Sequence, residues 1–184
     1  MATEAKLRQL ADKGCPVYYF YSSERYLVRQ AVTAITRILT ADSDEDATVL
    51  DGAAPEIEQL IMAAGTISFF GTRRVVVLPE IDPAAYSDKD LEELNSTLSS
   101  LENAVVVLGS VFELERSKLK TGKRAQKLIA QCKALGYTEE LAKPKPFELK
   151  MMMIDRAKEQ KTTLPDGAAA ALLERCGEDP FLLE

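Results

Sequence analysis

Two kinds of pattern alternate along the first 140 residues of the chain. Short, almost continuous apolar runs occur at residues 16–21, 47–50, 74–78 and 104–108. Between them lie longer segments in which apolar residues recur every three or four positions, the period of an α-helix. Strands without polar alternation are typical of a parallel sheet that is covered on both faces. The pattern therefore predicts a three-layer α/β domain with a parallel sheet.

Local signals indicate where the helices begin and end. Ser22 or Ser23 is expected to cap the first helix after the opening strand. Pro55 is suited to the first position of the next helix, which Gly65 would end. Leu91, Leu94, Leu98 and Leu101 mark one face of a third helix, and a basic helix is predicted from about residue 119 to 134.

A change of pattern near residue 143 predicts a domain boundary. Lys143-Pro144-Lys145-Pro146 is typical of a linker, and only helical periodicity follows it. Phe147, Met151 and Ile154 share one helical face, residues 168–173 fit a second helix, and Asp179-Pro180 would open a third. We therefore expect an α/β domain at 1–142 and a small helical domain at 143–184. Because the third helix would be cut off at Glu184, we expect the chain to be a truncated part of a longer protein.

Composition and charge exclude several classes of function. The net charge of −6 argues against a free-standing nucleic-acid-binding protein, because binding phosphates requires a basic surface. The chain has no histidine, so Ser-His and Cys-His nucleophile pairs cannot be built. Its three scattered cysteines favour neither disulfides nor a zinc site. With no signal peptide and no apolar run long enough to span a membrane, we expect a soluble, cytoplasmic protein.

Cofactor and metal motifs are absent from the places where this fold would carry them. A phosphate-binding loop needs glycines and a lysine after the first strand, but the strand leads into Tyr21-Ser22-Ser23-Glu24-Arg25. A lone Glu80 follows the strand at 74–78, where nucleotide-binding folds carry magnesium-binding acids. The acidic run at residues 42–46 lacks the glycine of a calcium loop. We predict no cofactor and no metal.

A run of basic residues between 116 and 133 has two interpretations. It fits the exposed face of an amphipathic helix, and it also fits a patch that approaches DNA within a larger assembly. The residues of this candidate patch are Lys118, Lys120, Lys123, Arg124 and Lys127.

The segment Thr66-Ile67-Ser68-Phe69-Phe70-Gly71-Thr72-Arg73-Arg74 places three bulky apolar residues in a short connection between a helix and a strand. In one interpretation both phenylalanines are buried under the edge of the sheet. In the other they form an exposed hydrophobic wedge for a partner, since clustered exposed aromatic residues usually mark a binding site. The pattern alone leaves both open.

At this segment the chain resembles the bacterial DNA polymerase III delta subunit family. Residues 19–28 (YFYSSERYLV) are similar to the family's opening strand and helix, and residues 66–78 (TISFFGTRRVVVL) are similar to its clamp-binding segment. The order of the later segments, 105–108, the basic helix, 147–149 and 171–173, agrees as well. The resemblance covers essentially all 184 residues.

The resemblance implies an AAA+-like domain that binds no ATP, then a small helical lid, with a third, collar-forming domain absent. It implies a non-catalytic clamp-loader subunit, with no ATPase of its own, in the DNA polymerase III holoenzyme. Such a subunit binds the sliding clamp (the beta subunit) and helps to open the ring. The implied clamp-contacting residues are Ile67, Phe69 and Phe70, with Arg73 and Arg74 beside them.

The resemblance further implies that the other loader subunits join through the missing C-terminal domain. DNA would be met only within the assembled complex, and no membrane is involved. Two other classes of function remain open: an α/β scaffold, and a P-loop-like nucleotide-binding protein without affinity for the clamp.

Overall fold

The computed structural model of the chain describes residues 4–43, 45–65, 73–116 and 118–176. The chain divides into two compact units, Ala2–Leu141 and Ala142–Glu184. Within the described residues, no helix combines the length and the apolar character needed to cross a bilayer.

The first unit alternates helices and strands, except that three strands, β4 to β6, follow one another. Its helices and strands, in chain order, are α1 Glu4–Asp12, β1 Val17–Ser22, α2 Arg25–Leu39, β2 Thr48–Val49, α3 Ile57–Gly65, β3 Arg74–Leu78, α4 Asp88–Ser99, β4 Ala104–Val111, β5 Leu114–Glu115, β6 Lys118–Leu119, α5 Lys123–Leu135 and β7 Tyr137–Glu140. Five of the strands form one parallel sheet in the order β2-β3-β4-β1-β7, and β5 pairs antiparallel with β6.

Each face of the sheet carries its own apolar cluster, because successive side chains of a strand point to opposite faces. Val17 and Tyr19 of β1 join the cluster formed with α3, α4 and α5. Tyr18 and Phe20 join the opposite cluster, formed with α1 and α2. The three central strands, β1, β3 and β4, are apolar at nearly every position because both of their faces are covered. The predicted three-layer α/β domain with a parallel sheet is confirmed.

Two predicted helix starts were wrong by a few residues. The residue before α2 is Glu24, whose side chain makes no capping hydrogen bond. The buried Ser22 hydroxyl is engaged elsewhere: it donates to the Leu141 carbonyl at 2.6 Å and accepts from the Glu24 amide at 3.1 Å. Helix α3 begins at Ile57 rather than Pro55, whose carbonyl accepts a hydrogen bond from the Tyr86 hydroxyl at 3.3 Å.

The predicted basic helix begins four residues late, at Lys123, because the residues before it form the hairpin β5–β6. Helix α1 and strand β7 were not predicted. Strand β7 reads Tyr-Thr-Glu-Glu, which carries little apolar signal. It is an edge strand that pairs only with β1, so it does not need to be apolar on both faces.

The second unit contains two described helices, α6 Pro146–Glu159 and α7 Asp166–Cys176. The Glu148 carboxylate caps α6 by accepting from the Lys145 amide at 2.6 Å. Lys150 Nζ lies 2.7 Å from Asp166 Oδ1 and joins the two helices. The buried apolar residues of α6 are Leu149 and Met153, whereas Phe147 is 67% exposed. The predicted third helix, at Asp179-Pro180, lies outside the described residues.

Candidate protein-interaction site

The segment that connects α3 to β3 is the candidate site. Its predicted contact residues, Ile67, Phe69 and Phe70, lie outside the described residues. What the structure defines is the two ends that hold the segment: Gly65, at the end of α3, and Arg73, next to β3.

Helix α3 leads into the segment with two apolar side chains on its outer face. Ile57 and Leu60 are buried against the sheet. Ile61 is 44% and Met62 is 73% exposed, although both are large and apolar. Exposed apolar residues next to one another are a common feature of protein-binding surfaces. The helix therefore presents apolar surface directly before the candidate segment.

Arg73 and Arg74 attach the other end of the segment to the body of the first unit. Arg73 Nη1 donates to the Gly14 carbonyl oxygen at 2.8 Å. Arg74 Nε lies 3.3 Å from Glu45 Oε2, close enough for an ion pair although the geometry is not that of a hydrogen bond. Both guanidinium groups thus contact their own chain, and they fix the position at which the segment ends.

The carboxyl end of the sheet is where phosphate-binding loops of α/β folds lie. Here Arg25 Nη2 lies 2.6 Å from Glu80 Oε1, an ion pair that links the start of α2 to the residues after β3. The Glu24 carboxylate is next to the N-terminus of α2, where it would repel an anion. The Arg25 cation at this position is thus already paired, and the loop before α2 contains no glycine.

A chain of buried hydrogen bonds lies at the same end of the sheet. The Tyr19 hydroxyl donates to Ser110 Oγ at 2.8 Å, and Ser110 Oγ donates to the Ile81 carbonyl at 2.8 Å. Burial raises the pKa of the Tyr19 phenol, and the hydrogen bond to Ser110 lowers it by a smaller amount. These hydroxyls are occupied by each other and by the backbone, so they offer nothing to a ligand.

The five residues of the predicted basic patch do not lie on one element. Lys118 is in β6 and Lys120 follows it, whereas Lys123, Arg124 and Lys127 are in α5. Arg124 Nε lies 2.7 Å from Asp88 Oδ1, and Lys127 Nζ lies 3.0 Å from Glu92 Oε1.

Both of these contacts, of Arg124 and of Lys127, are with residues of α4. The hydrogen bond and the charge of Arg124 lower the pKa of the Asp88 carboxyl. These two ion pairs connect α4 with α5, as the interpretation of an amphipathic surface helix implies.

Sequence reasoning missed the pairing of Arg25 with Glu80, since it considered Glu80 only as a possible magnesium-binding acid. A signal was available: both residues follow parallel strands, and the carboxyl ends of such strands meet at one edge of the sheet. Across the described part of the chain, cysteine and acidic side chains form no group of three or more that could hold a metal ion.

The sheet order and the two helical layers define an AAA+-like α/β fold. The solved structures that share this fold include the following three. The DNA clamp loader delta protein (YqeN) of Bacillus subtilis is 23% identical, with a TM-score of 0.61 over 93% of this chain and 52% of that chain. Domain III of the Thermotoga maritima replication initiation protein DnaA is 13% identical, with a TM-score of 0.61 over 98% of this chain and 78% of that one. A single-residue variant of Thermotoga maritima RuvB is 13% identical, with a TM-score of 0.58 over 98% of this chain and 57% of that one.

The family is defined by sequence. Residues 18–135 match the family model described as DNA polymerase III, delta subunit. The chain therefore belongs to the DNA polymerase III delta subunit family, as its resemblance indicated. It spans about half the length of the Bacillus subtilis delta protein that it matches. No curated protein sequence matches it.

Proposed function

We propose that the chain is the clamp-binding part of a clamp-loader delta subunit. It binds the ring-shaped sliding clamp through the segment at residues 66–74 and helps to open the ring for loading onto primed DNA. It does so without catalysis of its own, in the cytoplasm, and it joins the other loader subunits through a domain outside these 184 residues.

The observation that carries this proposal is the family match, whose range of residues 18–135 includes the whole candidate segment. The surroundings of the segment support it. The exposed Ile61 and Met62 extend its apolar character into α3, and Arg73 and Arg74 hold its far end against Gly14 and Glu45. The contacts of Arg73 and Arg74 with the first unit reduce the conformational entropy that these two residues would lose on binding.

The decisive test is the double variant Phe69→Ala with Phe70→Ala. If both rings contact the clamp, burying each is worth roughly 1.5–3 kcal/mol. Their loss should then weaken clamp binding by about two to four powers of ten. The melting temperature should hardly change, because exposed rings contribute little to the core. Clamp binding and melting temperature should be measured on the same sample, with the clamp of the same organism.

A matched control is Phe147→Ala, which removes an exposed phenylalanine ring of the second unit and should leave clamp binding unchanged. If Phe69 and Phe70 are core residues, each alanine should instead cost about 3–5 kcal/mol of stability. A large drop in melting temperature, or clamp binding that survives the double variant, contradicts the wedge. A wild-type chain with no affinity for the clamp would favour a scaffold role.

A further inference from the structure

Helix α1 is attached to the rest of the first unit near both of its ends. Leu7 and Leu10 are buried in the apolar cluster that α1 shares with α2. Near the start of the helix, Lys6 Nζ lies 2.9 Å from Glu139 Oε1 of β7. Near its end, the Tyr18 hydroxyl donates to the Leu10 carbonyl at 2.9 Å. The carboxyl end of α1 therefore occupies a defined position against the sheet.

The chain leaves α1 through Gly14. Its amide donates to the Ala11 carbonyl at 2.9 Å, and its φ of 64° lies in the left-handed region, which glycine adopts without strain. Two residues later, the Pro16 carbonyl accepts from the Val106 amide of β4 at 2.9 Å. Gly14 therefore lies at the amino end of β1, and the structure on either side of it fixes the position of its carbonyl.

Arg73 reaches this carbonyl from a strand that is not a neighbour of β1. Strand β4 lies between β1 and β3 in the sheet. Neighbouring strands are about 4.8 Å apart, so the amino ends of β1 and β3 are separated by roughly 9.6 Å. The Arg73 side chain crosses this interval, and its Nη1 donates to the Gly14 carbonyl oxygen at 2.8 Å. The carboxyl end of a helix carries partial negative charge, which also favours a guanidinium group here.

A cavity of about 190 Å³ borders both partners of this hydrogen bond. Gly14 and Arg73 line it together with apolar residues of α2, β3 and β4, which are Leu39, Val75 and Val105. Arg73 is itself exposed. Because the side chain has solvent on one side and a cavity on the other, packing constrains it little, and the hydrogen bond to Gly14 sets its direction.

We infer that α1 is part of the clamp-binding apparatus, with Gly14 as a positioning residue. Gly14 holds Arg73, and Arg73 holds the end of the segment at 66–74, without any contact between Gly14 and the clamp. Helix α1 and Gly14 precede residues 18–135, the range of the family match, so that match assigns them no role. The inference rests on the proposed function, and it gives Arg73 an anchoring role within its own chain rather than a contact with the clamp.

The variant Arg73→Met tests the inference, because methionine keeps an unbranched side chain beside the cavity and removes the donor to Gly14. Affinity for the clamp of the same organism should fall about three- to tenfold, as expected for the loss of one hydrogen bond. The melting temperature should fall by no more than a few degrees, because the bond is exposed. The matched control is Arg124→Met, which removes an exposed arginine that also donates to a backbone carbonyl, that of Ala84 at 3.1 Å. Its clamp affinity should equal that of the wild-type chain.

Two substitutions of Gly14 test the other partner of the hydrogen bond. A Cβ atom there would lie 3.8 Å from Arg73 Nη1, an ordinary contact, so the backbone conformation decides the outcome. Asparagine tolerates the left-handed region, whereas a β-branched valine does not. Gly14→Val should therefore weaken clamp binding as much as Arg73→Met does, and Gly14→Asn should bind several-fold more tightly than Gly14→Val. Combining Gly14→Val with Arg73→Met should cause no further loss, because both substitutions remove the same hydrogen bond.

An Arg73→Met variant that binds the clamp as tightly as the wild-type chain overturns the inference and leaves the proposed function unaffected. Additive losses in the combined variant also overturn it, since Arg73 would then contact the clamp itself. So does an equal loss in Arg124→Met, which would indicate a general effect of charge. If Gly14→Val does not fold, the comparison of Arg73→Met with Arg124→Met decides alone. A wild-type chain without affinity for the clamp overturns the proposed function and, with it, this inference.

Discussion

A single glycine shows how closely the chain approaches itself at the carboxyl end of the sheet. Gly109 lies in β4, and its carbonyl accepts from the Ile81 amide at 2.8 Å. A Cβ atom at this position would lie 2.2 Å from the Pro79 carbonyl oxygen and 2.8 Å from Val28 Cγ1. The absent side chain lets the residues after β3 cross beside β4 and lets α2 pack closely.

We expect Gly109→Ala to destabilise the first unit, because the backbone of Pro79 cannot move aside as a flexible side chain could. Overpacking of this kind typically costs about 1–3 kcal/mol. Chemical denaturation of the variant measures the loss. Gly65→Ala is the matched control, since a Cβ there would meet nothing within 4 Å. A Gly109→Ala variant as stable as the control would show that this approach is not tight.

For Arg73 and Arg74, the sequence indicated the position of each residue but not the groups that it contacts. Their place beside the candidate segment was evident from the sequence, but their contacts with Gly14 and Glu45 were not. Gly14 is 59 residues away from Arg73 in the chain. Neither residue carries a local pattern that would indicate such a contact.

At the scale of elements, the junction of β1 with α2 is the part most relevant to nucleotide binding. Phosphate binding at such a junction needs backbone N–H groups that converge and a cation that is available. Here the loop lacks glycine, Glu24 precedes the helix, and Arg25 is paired with Glu80 at 2.6 Å.

We therefore expect isothermal titration of the chain with magnesium-ATP to give no binding heat. The variant Glu80→Gln frees Arg25 from its partner, and it should be equally silent, because the converging N–H groups would still be missing. Micromolar affinity that depends on the γ-phosphate would contradict this and favour the nucleotide-binding alternative. Binding gained only in Glu80→Gln would show that the ion pair alone blocks the site.

Hydrophobic periodicity predicted the buried face of α4 better than that of α6. Of the four leucines whose spacing predicted α4, Leu91, Leu94 and Leu98 are buried in it, whereas Leu101 lies beyond its end at Ser99. In α6 the run Met151-Met152-Met153-Ile154 makes several faces equally apolar, and the buried residues are Leu149 and Met153. Spacing identifies a face only when the remaining faces are polar.

At the scale of the whole molecule, the core of the first unit contains several tyrosines. Tyr18, Tyr19 and Tyr86 are all buried. Burial raises the pKa of Tyr18 and of Tyr86 to about 12. In the unfolded chain these phenols ionise near 10, so above that pH the unfolded state loses protons that the folded state keeps.

Stability should consequently be complete below about pH 10 and should fall as the pH rises toward 12. Chemical denaturation at a series of alkaline pH values measures the fall, and phenolate absorbance reports ionisation in the same samples. Tyr18→Phe should make the fall less steep, although it also removes the hydrogen bond to the Leu10 carbonyl at 2.9 Å. Stability that does not change over this range, or native-state ionisation of all tyrosines near pH 10, would contradict the assignment.

The sequence by itself determined the layers of the first unit and the family. Apolar strands separated by amphipathic helices leave few arrangements other than a covered parallel sheet. These signals are local, because each depends on residues within one turn or one strand. The local pattern and the family resemblance together indicated the candidate contact residues, Ile67, Phe69 and Phe70. Their contact with the clamp remains a prediction.

Tertiary structure alone decided the contacts between residues distant in the chain. It paired Arg25 with Glu80, fixed Arg73 on Gly14, joined Arg124 to Asp88 of α4, and divided the basic run between a hairpin and a helix. Strand β7 is an example at the scale of an element: it carries little apolar signal, and its place at the edge comes from pairing with β1. The periodicity of a sequence does not indicate which residue a charged side chain will contact. The role of such a side chain therefore depends on which element the fold places beside it.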